Sequence, residues 1–256
     1  MTCAAAWVAH LPSTLFMETN HAVGVKVSKW LRSQSAKLVL WVRVPPLTLK
    51  LQQMIDNFLQ LEAMLNITPE MDSDLYFHLQ VIQRKKDCDI NKNSHLIRAY
   101  QVDSTHLLSR YKDEVIDLCE KFKARAYLNP SAKSKRATAI QMLNNIADCF
   151  RQSNFQYLNR LWNSAAGQVG AVDKVWVIDC DYSEQLNDDT IQELSWIIDR
   201  KCRPDGDKVI AFVPTKHGKH ILTRPFNVME LRERFTLPLD IHKNNPTVLY
   251  IPKSIE

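Results

Sequence analysis

The chain of 256 residues is 45% apolar and 24% charged, a balance that suits a globular protein and excludes a collagen-like, coiled-coil or wholly disordered chain. Its formal charge of +5 at pH 7 resides in residues 1–50, which hold six basic side chains and one acid, Glu18, so the rest of the chain is neutral and bulk charge gives no argument for a polyanion partner. Cys3, Cys88, Cys119, Cys149, Cys180 and Cys202 lie far apart with no CxxC pair, which excludes a disulfide framework or a compact zinc knot and points to free thiols in a reducing compartment.

Residues 1–50 contain Trp7, Trp30, Trp41 and the Pro45-Pro46 pair without a sustained helical or strand period; they read as an appended or weakly ordered leader, with a basic nucleic-acid arm as the alternative. No apolar run reaches the ~18 to 20 residues of a spanning helix, and the start lacks the basic first segment of a secretory signal. The expectation is a soluble, intracellular, cytoplasmic protein with no membrane partner.

From residue 51 the pattern divides into an N-terminal α/β subdomain, 51–170, and a second block, 171–256. The first opens with a helix over 51–65, in which Met54 offers an alternative start. Two strands follow, YFHLQVIQR (76–84) and HLIRAYQV (95–102), joined as a hairpin. Asp103-Ser104-Thr105 supplies cap chemistry for a helix reaching Phe122; a short strand over 124–130 stops at Pro130. Ser131 or Ser134 starts a helix to Phe150, and a further helix lies near 154–163. In the second block, strand 174–181 (KVWVIDCD) precedes a helix over 188–201 capped by Asn187 or Asp188. Strands 208–215 and 219–226 flank a turn at Lys216, His217 and Gly218. Asn227 caps a short helix, and 246–252 forms the last strand. The fold class is therefore α/β (α+β), with a split β-α-β-β-α-β block whose antiparallel sheet bears helices on one face and leaves the other open.

In that order the strands at 174–181 and 219–226 are central neighbours. Alternation then turns Asp179 and Asp181 to the open face and Trp176, Ile178 and Cys180 to the helices. Two carboxylates one residue apart repel unless a cation lies between them, and Mg²⁺ or Mn²⁺ takes oxygen ligands while keeping positions open for phosphate; a solvated strand end is the plainer reading of the same pair. The turn PTKHGKHIL gathers Thr215, Lys216, Gly218, Lys219 and His220, where backbone N–H groups and lysines suit a triphosphate. Trp176, Trp196 and Ile197 read as core. Residues 84–136 carry 13 Lys and Arg against 7 Asp and Glu, with Arg84, Lys85 and Lys86 at a strand end and Arg125 beside Tyr127; such a block suits a nucleic-acid backbone. Lys133, Lys135 and Arg136 at a helix start fit that reading or a solvated surface equally. With no Walker loop, GxGxxG or GxSxG, a P-loop NTPase, a dinucleotide enzyme and a nucleophile-elbow hydrolase are excluded.

These motifs resemble the archaeo-eukaryotic primase and primase-polymerase superfamily. VWVIDCD is similar to its acidic strand at Asp179 and Asp181, and TKHGKHIL to its histidine strand at His220, with Gly218 where the family commonly carries serine. LPLDIHKNNPT offers a third carboxylate, Asp240, or else a nucleotide- or template-contacting loop through His242, Lys243, Asn244 and Asn245. The resemblance spans about residues 76–252. It implies an RRM-like catalytic core and a DNA-directed nucleotidyltransferase acting in replication or repair. Asp179, Asp181 and Asp240 would hold Mg²⁺ or Mn²⁺, and Thr215, Lys216, Lys219, His220, His242 and Lys243 would meet a nucleoside triphosphate. Template and primer would lie along Arg84, Lys85, Lys86 and Arg125, and replication proteins are possible partners. A non-catalytic RRM-like single-strand-binding module and a metal-dependent nuclease are the competing readings.

Overall fold

The computed structural model describes residues 54–64, 73–87, 94–253 and 255; the leader reading of residues 1–50 lies outside them. The first described element is a two-residue strand, β1 (Ile55–Asp56), followed by α1 (Phe58–Met64). The helix expected over 51–65 thus begins only at Phe58, because Asp56 Oδ1 accepts the free N–H of Phe58 at 3.1 Å and the backbone before it pairs with a strand. Next come β2 (Leu75–Arg84), β3 (Ser94–Val102), α2 (Thr105–Phe122), β4 (Arg125–Leu128), β5 (Lys133–Ser134) and α3 (Lys135–Arg151). A 3₁₀ turn (Leu158–Arg160) leads into α4 (Leu161–Gln168). The second block supplies β6 (Trp176–Asp181), α5 (Asp188–Lys201), β7 (Val209–Pro214), β8 (Gly218–Thr223), α6 (Val228–Arg234), β9 (Asp240–His242) and β10 (Thr247–Ile251).

Two antiparallel sheets result, ordered β1-β10-β4-β2-β3, with β5 on the start of β2, and β7-β8-β6-β9. The helix ends follow local chemistry. Ser104 Oγ accepts from Leu107 N at 3.3 Å at the start of α2, Ser134 Oγ from Ala137 N at 3.0 Å at the start of α3, and Asn187 Oδ1 from Thr190 N at 3.0 Å at the start of α5; each bond is of the kind whose loss costs about 1 kcal/mol. Helix α2 closes on Lys123, whose left-handed φ of 47° returns its N–H to Cys119 O.

Alternation along β2 builds the core of the first block. Phe77, Leu79 and Val81 meet Leu108, Val115 and Cys119 of α2, while Tyr76 and His78 turn the other way, onto Trp162 of α4. In the second block Ile191, Leu194 and Ile198, spaced for one helix face, bury against Ile178, Cys180 and Ile221; each such side chain contributes roughly 1.5–3 kcal/mol of transfer free energy. Ile197 is buried as expected, but Trp196 is 54% exposed, because its position on α5 points away from the sheet, where Lys201 Nζ lies over the ring at 5.1 Å.

The strand expected over 246–252 exists, yet it joins the other sheet. All five residues of β10 are buried: β1 and β4 pair with its two edges in the first sheet, and its faces are covered by packing, Leu249 and Tyr250 in one apolar cluster and Val248 and Ile251 in another. The fourth strand beside β6 is instead Asp240–His242, a short polar edge. The face opposite α5 and α6 is also less open than expected: Val175, Val177, Val213 and Leu222 join the core that contains Phe58, Leu61 and Leu249. The end of that face bearing Asp179 and Asp181 borders a cavity.

Candidate functional site

The register across the second sheet assembles the site. Asp179 pairs with His220 on β8 and with Asp240 on β9, and Asp181 pairs with Gly218. Cross-strand partners share a face, so Asp179, His220 and Asp240 form one row, with Asp181 two residues along. His220 Nε2 lies 3.5 Å from Asp179 Oδ1, and its Nδ1 lies 2.9 Å from Thr247 Oγ1 on β10 of the first sheet. His242 Nε2 lies 3.2 Å from Asp240 Oδ2. Carboxylates directly opposite one another destabilise a sheet pair; here each of the two is met by an imidazole. Burial holds His220 below the ordinary imidazole value, with the Asp179 charge, and then that of Asp181, opposing the shift. Burial, with the same two carboxylates adding, pushes the Cys180 thiol behind the row up to about 12, so Cys180 is an inert core thiol.

The tight approach at the end of β8 explains Gly218. A Cβ there would stand 1.9 Å from Cys180 O and 2.9 Å from Asp181 Cα, so any side chain would push β8 off β6 and move His220 with it. Thr215 holds the turn, its N–H donating to Gly218 O at 3.0 Å and its Oγ1 accepting from Gly218 N at 3.1 Å.

The row borders a cavity of about 640 Å³ whose far side comes from the first sheet: Arg84, Lys86, Ser94, Arg125 and Tyr127. Thr215, Lys216, His217 and His242 complete the near side. A smaller cavity of about 280 Å³, lined by Ser183, Gln185, Leu186, Leu237 and Pro238, shares Asp179, Asp181 and Asp240 with the first, so the three carboxylates border both spaces. Lys86 has its pKa lowered by burial and then by Arg84 and Arg125, while Asp87 and Asp181 draw it back up; this cation therefore feels the Asp181 carboxylate across the cavity.

Not every residue singled out from the sequence arrives there. Lys219 pairs with Cys180 in the register and so projects to the helix side, where its Nζ meets Asp188 at 2.7 Å; that contact and the Tyr182 hydroxyl hold the Asp188 carboxyl below its usual range. Lys243 lies over the Trp176 ring at 5.0 Å. Lys216 lines the cavity with its Nζ donating to Ile255 O at 3.0 Å. Lys85 is exposed and outside the lining. Arg125 borders the cavity but commits its guanidinium as a fork to Asp87, the two side chains being 7% and 1% exposed; it braces the wall rather than offering a free cation. Lys133 is buried, donating to the last carbonyls of α4 at Ala166 and Val169, and Lys135 pairs with Asp103 at 2.7 Å. Sequence reasoning missed His217, Ser94 and Tyr127 as lining residues. His217 sat in the turn beside Gly218 and was legible only as a turn residue, whereas Ser94 and Tyr127 reach the cavity through a sheet pairing that no local motif encodes.

Asp179, Asp181 and Asp240 are oxygen donors of the kind a hard cation takes, and they border space on both sides. Among the described residues no group of three or more His, Cys, Asp or Glu side chains is placed to hold a metal ion. Comparisons with protein-family models, with curated proteins and with solved structures return no match for this chain. Among the described residues no helix is long and apolar enough to cross a membrane.

Proposed function

We propose that this chain is a metal-dependent nucleotidyltransferase of the primase-polymerase type, which adds nucleotides to a primer opposite a nucleic-acid template. The observation that carries this reading is the row Asp179, His220 and Asp240 across three adjacent strands, with Asp181 on the same face, confronted by Arg84 and Lys86 over one cavity. The strand order β7-β8-β6-β9, with helices on the opposite face, supports an RRM-like palm.

Asp179, Asp181 and Asp240 would hold Mg²⁺ or Mn²⁺. Such an ion supplies Lewis acidity at phosphoryl oxygens and lowers the pKa of a bound hydroxyl. The chain's own groups do the positioning. Arg84, Lys86 and Lys216 attract and orient a triphosphate, concentrating positive charge where the leaving group becomes negative. His220, fixed between Asp179 and Thr247, offers an imidazole edge to the phosphates. The smaller cavity beyond the carboxylates, which has no cation in its lining, leaves room for an acceptor hydroxyl.

The test is extension of a labelled primer on a template by purified full-length protein with Mg²⁺ or Mn²⁺, beside the Asp179→Ala/Asp181→Ala double variant. The expected result is incorporation that is lost in the variant. Retained single-strand binding with no incorporation by either protein would replace the proposal with a binding module. Metal-dependent shortening of the primer would replace it with a nuclease.

A further inference from the structure

The strongest unexplained surface lies away from the cavity, on α3. Of the thirteen large apolar side chains exposed among the described residues, six fall within residues 140–158. Helix α3 has 17 residues yet buries only Thr138. Ile140, Leu143 and Phe150 are 52%, 66% and 67% exposed, and with exposed Ala147 they are spaced 3, 4 and 3 apart, the seam of one helix facing another. Phe155, beyond the turn that ends α3, extends the seam by packing edge-on to Phe150 with ring centroids 5.4 Å apart. The opposite side of α3 is already satisfied: Gln141 Nε2 donates to Gln168 Oε1 of α4 at 3.0 Å. A contiguous apolar stripe of this kind on a polar rim marks an interaction surface.

The rim identifies the occupant. Residues 135–160 carry Lys135, Arg136, Arg151 and Arg160 against one acid, Asp148; Arg151 engages Asp148 and Lys135 pairs with Asp103, so Arg136 and Arg160 carry the basic excess. Residues 1–50 are basic, so like charge disfavours that segment of the same chain as the cover. A second copy meets the same obstacle. Antiparallel pairing of α3 with itself sets the Arg136 end against the Arg151 end, and parallel pairing sets each end against its twin. Single-stranded nucleic acid would welcome the cations but stacks on aromatic faces, whereas the centre of the stripe is aliphatic and helically spaced. We propose that the outer face of α3 docks an amphipathic helix of a partner protein, one whose apolar stripe is flanked by acidic residues.

This surface is independent of the chemistry at the carboxylates, so its test uses binding alone. The probe is a fluorescent three-heptad helical peptide with Leu and Ile at the seam and Glu beside it, matched to a second peptide in which Lys replaces every Glu, each titrated against the full chain. Binding of the acidic peptide is expected, about tenfold or more tighter than the basic one. Leu143→Glu should abolish it, and the charge-reversed Arg136→Glu/Arg160→Glu protein should weaken it by about tenfold, with circular dichroism confirming that each variant is folded. Equal affinity for the two peptides, or none for either, overturns the proposal. Self-association of the wild type that Leu143→Glu dissolves, seen by sedimentation, would assign the face to a second copy. Oligothymidylate binding lost in Phe150→Ala would assign it to nucleic acid.

Discussion

His78 shows how a single side chain ties stability to pH. It is 4% exposed on β2, edge-on to Trp162 at 5.2 Å, and its Nε2 has no hydrogen-bond partner among the described residues. Burial first, and the Lys133 charge second, lower its pKa from 6.5 to about 4. The folded-state value is depressed, so the unfolded chain takes up this proton first. The contribution of neutral His78 is complete above pH 6.5 and is lost as pH falls from 6.5 toward 4, by about 1.4 kcal/mol per unit. Urea midpoints at pH 7.5 and pH 5 should therefore converge in His78→Gln relative to wild type. An undiminished difference between the two midpoints would show that other groups carry the acid sensitivity.

Among the elements, the β7-β8 hairpin sets the position of the histidine. Gly218 is required by closeness rather than by an unusual φ, since a Cβ would fall 1.9 Å from a backbone oxygen of β6. The replaced atom meets backbone that cannot swing aside, so Gly218→Ala should destabilise by about 3 kcal/mol, at the upper end of overpacking effects. A chemical-denaturation midpoint close to wild type would refute this account of the turn. The resemblance to primases made Gly218 look like a departure from serine; the strand contact supplies its physical reason.

At the scale of the molecule, β10 joins what the chain order separates. It follows the second block in sequence but sits between β1 and β4 of the first sheet, and its first residue, Thr247, reaches His220 of the second. The site is thus shared between sheets: carboxylates and imidazoles from one, Arg84 and Lys86 from the other. Thr247→Val keeps the shape of a fully buried residue and removes the hydroxyl that holds the imidazole. The primer extension proposed for this chain should fall about tenfold, the equivalent of one hydrogen bond of about 1.4 kcal/mol, while the denaturation midpoint moves little and Thr247→Ser restores extension. Equal extension by the valine and serine variants would remove Thr247 from any positioning role.

Much of this was written locally. Alternation in VWVIDCD set Asp179 and Asp181 on one face, the cap candidates Asp103-Ser104-Thr105, Ser131 or Ser134, and Asn187 or Asp188 marked helix starts, of which the structure uses Ser104, Ser134 and Asn187, and a polar turn between apolar runs announced the hairpin that carries His220; each depends on neighbours a few residues away. Tertiary structure alone decided that β10 leaves the second block, that Asp240 enters the row through the edge strand β9, and that Lys219 and Lys243 project away from the cavity while Arg125 is spent on Asp87. Those outcomes turn on which buried strand finds cover on both faces and which charge finds a partner from a distant element. A period of two records that a residue alternates, but only the packed partner determines what its side chain meets.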